Sequence, residues 1–446
     1  MTRSSVLSRY RYAERRIPLA ADAVTTLAAL ARDRPGVQVG YENRGTVSWA
    51  ENAWATVELH DGGARLITED RETEFAGKPL DVVGKALAAA GIADWRAYGW
   101  AAFELAHVLH DTASAPGPLA CLMIPRAEVR LDGASALVRA ATESEVDELA
   151  DRLAVAIAPE PPEDARVPVD LDHDAAAYRE MVAAAVGDIR AGKLDKVILS
   201  RVVPVEGDLD LAATYLAGRR GNDPARSYLL RLGGWEAAGF SPEIVARVTA
   251  DGRARTQPLA GTRALDGDAL DVARRAELYR DAKEVFEHAI SVRLAAAELD
   301  EVCAPDSVGV SEFMSVRERG SVQHLGSDVA GDLADGKTAW DALAALFPAV
   351  TASGIPKAAA CEAIGRLESG PRGLYSGAVL TADADGSLDA ALLLRSVFRY
   401  EGRTWLRAGA GIVAQSTPDR ELEETREKLR SVSRFLVPAL ATAVLP

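Results

Sequence analysis

Cysteine is scarce in this chain, and its spacing excludes several kinds of site. The 446 residues include three cysteines, Cys121, Cys303 and Cys361, and none forms a CxxC pair. This scatter argues against a disulfide framework and against a cysteine-based zinc site, and it is typical of a reducing compartment. Residues 1–16 carry arginines but no apolar core, so no secretory signal is expected. We therefore predict a cytoplasmic protein.

Positive charge and long apolar runs are also lacking. Lys and Arg number 51 against 66 Asp and Glu, which gives a formal net charge of −15. So acidic a protein is a poor partner for a nucleic-acid backbone or an anionic membrane surface, and we expect neither. The uncharged apolar stretch at 435–446 is too short to span a bilayer. An anionic ligand would therefore need a few local basic groups or a metal ion.

A proline-rich segment divides the chain. Prolines at positions 159, 161, 162 and 168 stop helices and central strands, which predicts a linker at 159–164. We predict an N-terminal α+β part at residues 1–165 and a catalytic part at residues 166–446. The two parts are expected to form one compact unit.

Strand-like runs separated by short turns predict an antiparallel architecture. The predicted strands cover residues 45–57, 64–67, 196–205, 227–232, 237–240, 244–249, 321–326, 377–381, 390–399 and 404–410. Long helices are predicted over 269–298 and 418–439, the second with Thr417 as N-cap and Pro418 in its first turn. The predicted fold class is α+β, with large antiparallel β-sheets and helices packed outside.

Two predicted helices each carry a pair of acids three residues apart. These are Glu284 with Glu287, and Glu421 with Glu424. Residues at i and i+3 share a helix face, so each pair offers two carboxylates to one point. If the two faces meet, the carboxylates suit Mg²⁺, and waters and a substrate carboxylate would complete the coordination of the ion. An isolated ExxE pair is more often a solvated helix face, so both interpretations remain open.

Arg395 interrupts the apolar run at 390–398, and strand alternation places it with Leu393 and Val397. A guanidinium in such a run needs an anion, which is either a protein carboxylate or a ligand carboxylate. Gly409 and Gly411 end another predicted strand. Small residues there either let backbone N–H groups approach an anion or mark a bulge.

Lys196 and Glu243 are the acid–base candidates. A lysine at the start of a strand acts as a base only if burial or a positive neighbour lowers its pKa from about 10.4. Glu243, which follows Ser241 and Pro242, acts as an acid only if its pKa is raised. Otherwise the two are an ordinary lysine with its ammonium in water and a surface carboxylate.

Eight segments, taken in order, resemble the motifs of the chorismate-utilising enzymes. They lie at residues 196–201, 240–243, 258–263, 283–292, 317–326, 347–357, 372–377 and 408–429. Within the family, VRERGSVQHLG at 316–326 and TASGIPK at 351–357 resemble most the salicylate synthases of siderophore pathways. The resemblance implies a fold of antiparallel sheets with outer helices. It also implies Mg²⁺-dependent conversion of chorismate to isochorismate, and then to salicylate and pyruvate.

The resemblance further implies a role for each candidate residue. Lys196 would activate water for attack at C2 of chorismate, and Glu243 would assist departure of the C4 hydroxyl. Mg²⁺ would lie on Glu287 and Glu424, supported through water by the second acid of each pair, Glu284 and Glu421.

The other candidates would hold the substrate. Tyr375 and Arg395 would grip the enolpyruvyl carboxylate, while His324 and Thr262 would position the substrate for loss of pyruvate. The lining of the site would be completed by Gly261, Gly409, Gly411 and Lys428.

The resemblance also bears on the nucleophile. Ammonia-using members carry Gln where Lys196 stands. They draw ammonia from a glutaminase whose nucleophilic cysteine lies in a GxCxG elbow, and none of the three cysteines of this chain lies in such a motif. We therefore expect water as the nucleophile, no glutaminase subunit, and a monomer. The alternatives are an isochorismate synthase without the lyase step and an aminating, anthranilate-type subunit. Isochorismate synthases usually carry GG-x-P-R where this chain has SGIPK at 353–357, which favours the salicylate branch.

Overall fold

A computed structural model of the chain describes residues 10–439, apart from 20, 33, 114–116, 157, 159–166, 266 and 320–321. The predicted linker at 159–164 lies outside the described residues, so the division at residue 165 stays a prediction. In the described part, no helix is both long and apolar enough to span a membrane.

The described residues form 21 strands and 11 helices. The strands are β1 (Ala13–Pro18), β2 (Gln38–Asn43), β3 (Thr46–His60), β4 (Gly63–Thr68), β5 (Glu72–Ala76), β6 (Arg96–Ala101), β7 (Ala120–Asp132), β8 (Ser135–Ala140), β9 (Lys196–Pro204), β10 (Arg226–Leu232), β11 (Trp235–Ser241), β12 (Ile244–Val248), β13 (Arg253–Thr256), β14 (Leu259–Ala264), β15 (Gly309–Arg319), β16 (Val322–Asp332), β17 (Gly354–Ile355), β18 (Ala378–Asp383), β19 (Leu388–Leu392), β20 (Ser396–Tyr400) and β21 (Arg403–Ile412). The helices are α1 (Ala23–Ala31), α2 (Pro79–Ala89), α3 (Leu105–Leu109), α4 (Glu143–Val155), α5 (Ala175–Arg190), α6 (Leu211–Arg220), α7 (Asp271–Arg280), α8 (Ala282–Asp300), α9 (Ala339–Leu346), α10 (Lys357–Leu367) and α11 (Pro418–Ser433).

The named strands pair antiparallel, which confirms the predicted α+β class. The long strands β3 and β7 pair with each other, and a run of strands extends from each. From β3 the pairing continues through β2, β10, β11, β20, β21, β9 and β17. From β7 it continues through β6, β18, β19, β12, β13 and β16, and β16 also pairs with β14 and β15. Strands from before and after residue 165 therefore hydrogen-bond to each other.

Two predicted elements are wrong because the backbone breaks inside them. The predicted helix at 269–298 is two helices, α7 and α8, separated at Asp281, whose backbone is extended. The predicted strand at 390–399 is split into β19 and β20, and Arg395 lies in the break with φ of +51°. Left-handed backbone is uncommon for a residue other than glycine, and it ends the strand alternation that grouped Arg395 with its apolar neighbours.

Helix α11 packs on β21 through an apolar stripe. Leu422, Thr425, Leu429 and Val432 are buried along it, as their helical spacing predicts. The helix ends at Ser433, earlier than predicted, and Thr417 occupies the N-cap without a side-chain capping hydrogen bond. Helix α8 packs on β14 and β16. These contacts place the acidic pairs of α8 and α11 beside the strands that carry Lys196, Gly261 and Gly411.

A buried ion pair links the two runs of strands. Arg226 on β10 donates from Nε and Nη2 to the Asp389 carboxylate on β19, at 2.7 and 2.6 Å. We expect Asp389→Asn to lower the free energy of unfolding by about 3–5 kcal/mol, because it leaves a buried guanidinium without its counter-charge. The exposed pair of Arg253 and Asp332 provides the control, and Asp332→Asn should cost less than about 1 kcal/mol. Equal losses in urea denaturation would contradict the prediction.

Candidate active site

One cavity brings together the predicted site residues, with the exception of Glu421. Those lining it are Lys196, Glu243, Gly261, Thr262, Glu284, Glu287, His324, Tyr375, Arg395, Gly409, Gly411, Glu424 and Lys428. Glu421 is fully buried on α11 outside the lining, and its metal role stays a prediction. The cavity lies where β9, β14, β16 and β21 face α8 and α11.

Lys196 begins β9, and its side chain is 1% exposed. Its Nζ lies 2.8 Å from Glu287 Oε1 but lacks the geometry of a hydrogen bond. Gly411 on β21 makes room for this carboxylate, since a Cβ there would lie 2.7 Å from Glu287 Oε1. β21 pairs with β9 in unbroken register, so Gly411 marks a close approach and not a bulge.

Glu243 lies between β11 and β12, and it is buried. Burial raises the pKa of its carboxyl to about 8, although a hydrogen bond from Thr351 and the nearby charge of Lys196 oppose the rise. Thr351 Oγ1 donates this hydrogen bond to Glu243 Oε1 at 2.5 Å. A carboxyl that holds its proton near neutral pH can serve as a general acid. The sequence pointed to Thr351 only as a hydroxyl in the small-residue segment 351–357.

His324, Thr262 and Arg395 form a hydrogen-bonded chain. Gly261, with φ of +83°, interrupts the register of β14 and leaves Thr262 opposite His324 on β16. Arg395 Nη2 lies 2.6 Å from His324 Nε2, and Thr262 Oγ1 lies 2.9 Å from Nδ1. A guanidinium only donates, so Nε2 accepts, and Nδ1 carries the proton that is donated to Thr262. Burial and the charge of Arg395 hold the pKa of His324 well below its usual value, so the ring is neutral.

Arg395 is buried with few partners. Burial and the neighbouring charge of Arg319 lower the pKa of Arg395 to about 10. Within the part of the chain that the structure describes, its guanidinium donates, besides the contact with His324, a single long hydrogen bond of 3.4 Å to the Arg319 carbonyl. Among the described residues, no carboxylate forms an ion pair with Arg395. Of the two partners left open by the sequence, this arrangement favours a ligand carboxylate. The only signal for Arg319 in the sequence was its place in the motif at 316–326.

Tyr375 and Lys428 meet at Gly409. A Cβ on Gly409 would lie 3.0 Å from the Tyr375 hydroxyl, so the glycine makes room for the phenol. Burial raises the pKa of Tyr375, and its hydroxyl therefore stays a donor. Lys428 Nζ donates to the Gly409 carbonyl at 2.8 Å and to Glu424 Oε1 at 2.7 Å. Burial acts to lower the pKa of Lys428, but the Glu424 carboxylate raises it above its usual value, so the ammonium stays charged.

The cavity carboxylates form a donor set that fits a hard cation. Glu284, Glu287 and Glu424 each form an ion pair with a basic side chain. Glu284 pairs with Arg263 at 3.2 Å and with Arg420 at 3.6 Å, Glu287 pairs with Lys196 at 2.8 Å, and Glu424 pairs with Lys428 at 2.7 Å. Within the described ranges, no three metal-binding side chains already form a cluster. Mg²⁺ does not require one, because it commonly takes one or two carboxylates and keeps several waters. Space exists beside two of the carboxylates because Gly261 and Gly411 lack side chains.

The chain is similar to known proteins over most of its length. The family model described as chorismate binding enzyme matches residues 43–434. A salicylate synthase from Mycolicibacterium paratuberculosis is 44% identical over 431 residues, which cover 94% of this chain and 94% of that protein. An anthranilate synthase component 1 from Spirochaeta aurantia is 40% identical over 62% of this chain and 57% of its own length.

Solved structures share the fold. Anthranilate synthase component I from Streptococcus pneumoniae superposes with a TM-score of 0.74 at 25% identity, over 90% of this chain and 93% of that one. The menaquinone-specific isochorismate synthase from Escherichia coli gives a TM-score of 0.73 at 23% identity, over 95% and 94% of the two chains. The second likeness concerns the fold alone.

The raised pKa of Glu243 is directly measurable. In protein labelled at the glutamate carboxyl carbon, and with Glu243→Gln to assign the signal, we expect Glu243 to titrate near pH 8. Thr351→Val should raise this pKa further, because it removes the hydrogen bond that stabilises the carboxylate. Thr351→Ser retains the hydroxyl and should leave the value near that of the wild type. Titration of Glu243 in the range of an exposed carboxyl would contradict the burial argument.

Proposed function

The chain belongs to the family of chorismate binding enzymes, and on that premise we propose that it is a magnesium-dependent salicylate synthase. The proposed reaction converts chorismate to isochorismate, and then isochorismate to salicylate and pyruvate. The observation that carries the proposal is the cavity lined by a lysine, a protonated carboxyl and an arginine that pairs with no carboxylate of the described residues. The extent of similarity to a salicylate synthase, 44% over 94% of both chains, supports it.

The first step adds water at C2 of chorismate and expels the C4 hydroxyl. Lys196 would take the proton of the attacking water, since it is the buried amine of the cavity beside Glu287. Glu243 would give a proton to the departing hydroxyl, because its carboxyl keeps its proton up to about pH 8. A base for a weak nucleophile and an acid for a poor leaving group are what this substitution requires.

The second step transfers the C2 hydrogen to the enolpyruvyl methylene, with cleavage of the C–O bond. Pyruvate leaves and the ring becomes aromatic, which supplies the driving force. The protein then has mainly to hold the side chain of isochorismate in a compact conformer. Arg395 and Tyr375 would bind the side-chain carboxylate, and the neutral His324 would fix the guanidinium of Arg395 through its Nε2.

Magnesium would lie on Glu287 and Glu424, with Glu284 and Glu421 supporting through water. When bound, the ion supplies positive charge for the ring carboxylate of the substrate. The carboxylates of the cavity are otherwise neutralised by the chain's own basic groups, so a cation has to compete with Lys196, Arg263 and Lys428. The enzyme is proposed to need no glutaminase subunit.

Product analysis tests the proposal. Purified protein with chorismate and Mg²⁺ at neutral pH should release salicylate and pyruvate in equal amounts, measured by chromatography, without a nitrogen source. Lys196→Gln should abolish both products, because it removes the proposed base. Lys193→Gln removes an exposed lysine of the same segment and should leave the rate near wild type.

Other products would identify the alternatives. Accumulation of isochorismate without pyruvate would mean an isochorismate synthase. Formation of an aminated product only when ammonium is added would mean an aminating subunit. Salicylate formation by Lys196→Gln at the wild-type rate would show that the base lies elsewhere.

A glycine substitution tests the metal proposal without removing a carboxylate. Gly411→Ala places a Cβ 2.7 Å from Glu287 Oε1, so the carboxylate must move. We expect turnover to fall by about 10–100-fold and the Mg²⁺ concentration for half-maximal activity to rise. Gly187→Ala on α5, where no atom lies within 4 Å of the added Cβ, is the matched control and should change neither quantity. Full wild-type activity in EDTA would overturn the metal assignment.

A further inference from the structure

A buried ion cluster lies behind the Tyr375 ring, and it is separate from the residues that act in the two proposed reaction steps. The cluster consists of Glu368, Arg372 and Arg407, whose side chains are 2%, 1% and 5% exposed. Each arginine forms an ion pair with Glu368, at 2.7 Å for Arg372 and 2.6 Å for Arg407. Both guanidinium groups also lie against Tyr375, with 5.7 and 5.4 Å between the guanidinium carbon and the ring centroid. The residue proposed to hold the substrate side chain therefore rests on two buried cations.

Arg407 is the member of the cluster that also lines the cavity. All three of its guanidinium nitrogens are engaged. Nε donates to Ser200 Oγ at 2.9 Å, Nη1 donates to the Pro371 carbonyl at 2.9 Å, and Nη2 donates to Glu368 at 2.6 Å. A guanidinium bound at three positions cannot rotate without breaking a buried hydrogen bond. The surface that it presents to Tyr375 is therefore fixed.

The rest of the cluster ties this surface to the strand of the proposed base. Glu368 accepts hydrogen bonds from the Ser200 amide at 2.7 Å and from the Ser200 hydroxyl at 2.9 Å, both on β9. Arg372 donates to the Ile198 carbonyl on the same strand and to the Ala352 carbonyl, each at 2.7 Å. Ala352 follows Thr351, the hydrogen-bond partner of Glu243. Tyr375, β9 and the 351–352 segment are thus held to one another by buried charge-assisted hydrogen bonds.

We propose that Arg407 is a positioning residue for the second step, which acts by fixing the Tyr375 ring. With the ring fixed, the phenol hydroxyl stays beside Gly409 and in the cavity, where it can donate to the side-chain carboxylate of isochorismate. Loss of that support loosens the compact conformer, and isochorismate dissociates before it eliminates pyruvate. This inference rests on the proposed salicylate synthase activity.

The test is the ratio of released isochorismate to salicylate. Arg407→Gln keeps a planar amide but cannot make the three contacts. We expect this ratio to rise by about tenfold or more, because misplacement of a binding group by about 1 Å costs up to 100-fold in rate. Chorismate consumption should fall less than salicylate formation. With isochorismate supplied as substrate, kcat should fall by a larger factor than KM rises.

A double-mutant cycle with Tyr375 distinguishes positioning from a general structural role. If Arg407 acts through the phenol, Arg407→Gln should change the ratio little once Tyr375→Phe has removed the hydroxyl. Fully additive effects would overturn the inference, and so would an unchanged ratio in folded Arg407→Gln. Arg403→Gln, on the same strand but exposed, is the matched control and should behave as wild type.

Two further measurements keep the test decisive. If Arg407→Gln fails to fold, Ser200→Ala takes its place as the test. This variant removes only the acceptor for Arg407 Nε and one hydrogen bond to Glu368, so it should shift the ratio in the same direction by a smaller factor. An unchanged ratio in Ser200→Ala would then overturn the inference. The wild-type product assay distinguishes failure of this inference from failure of the proposed function. A wild type that makes no salicylate disproves the proposed function itself.

Discussion

The antiparallel pairing of β9 with β21 is the constraint on which the candidate site depends. Lys196, Ile198 and Ser200 alternate along β9, and Gly409 and Gly411 stand opposite Ser200 and Ile198 on β21. Because side chains alternate between the two faces of a strand, this register puts the lysine and the glycine gaps on one face. A one-residue slip would turn Lys196 away and put side chains where Glu287 and Tyr375 now fit. Helix α8 can bring Glu287 to the cavity because Gly411 leaves this gap.

Burial then assigns a different electrostatic state to each group. At Glu243, desolvation outweighs both the hydrogen bond from Thr351 and the nearby charge of Lys196, so the carboxyl keeps a proton. Glu424 and Lys428 are half-buried, each is the counter-charge of the other, and the lysine stays charged. Among these groups, Arg395 has a neutral imidazole and a carbonyl as partners in place of a carboxylate. A cavity with one such cation is suited to a ligand that brings its own negative charge.

Much of the fold and of the candidate site could be predicted from the sequence, and the failures have local causes. The antiparallel α+β class follows from short strands and tight turns, and the structure confirms it. The break at Asp281 was missed because the helical pattern continues on both sides of it. The left-handed backbone of Arg395 was missed because the apolar residues around it fit a strand equally well. Thr351 and Arg319 gave no individual signal, since a hydroxyl and a surface-like arginine gain a role only from the group that they face.

Three features could be read from the order of residues alone: the family, the residue types needed for acid–base chemistry and anion binding, and the excess of negative charge that a bound anion must overcome. These follow from composition, local patterns and the order of motifs, which do not depend on long-range contacts. The folded arrangement decided which groups are charged and which carboxylates share a space. It also decided that Glu421 lies outside the cavity lining, and that Tyr375 rests on the Glu368, Arg372 and Arg407 cluster. These properties could not be read earlier because pKa, ion pairing and steric room depend on neighbours far away in the chain, which come into contact only when the sheets and helices pack.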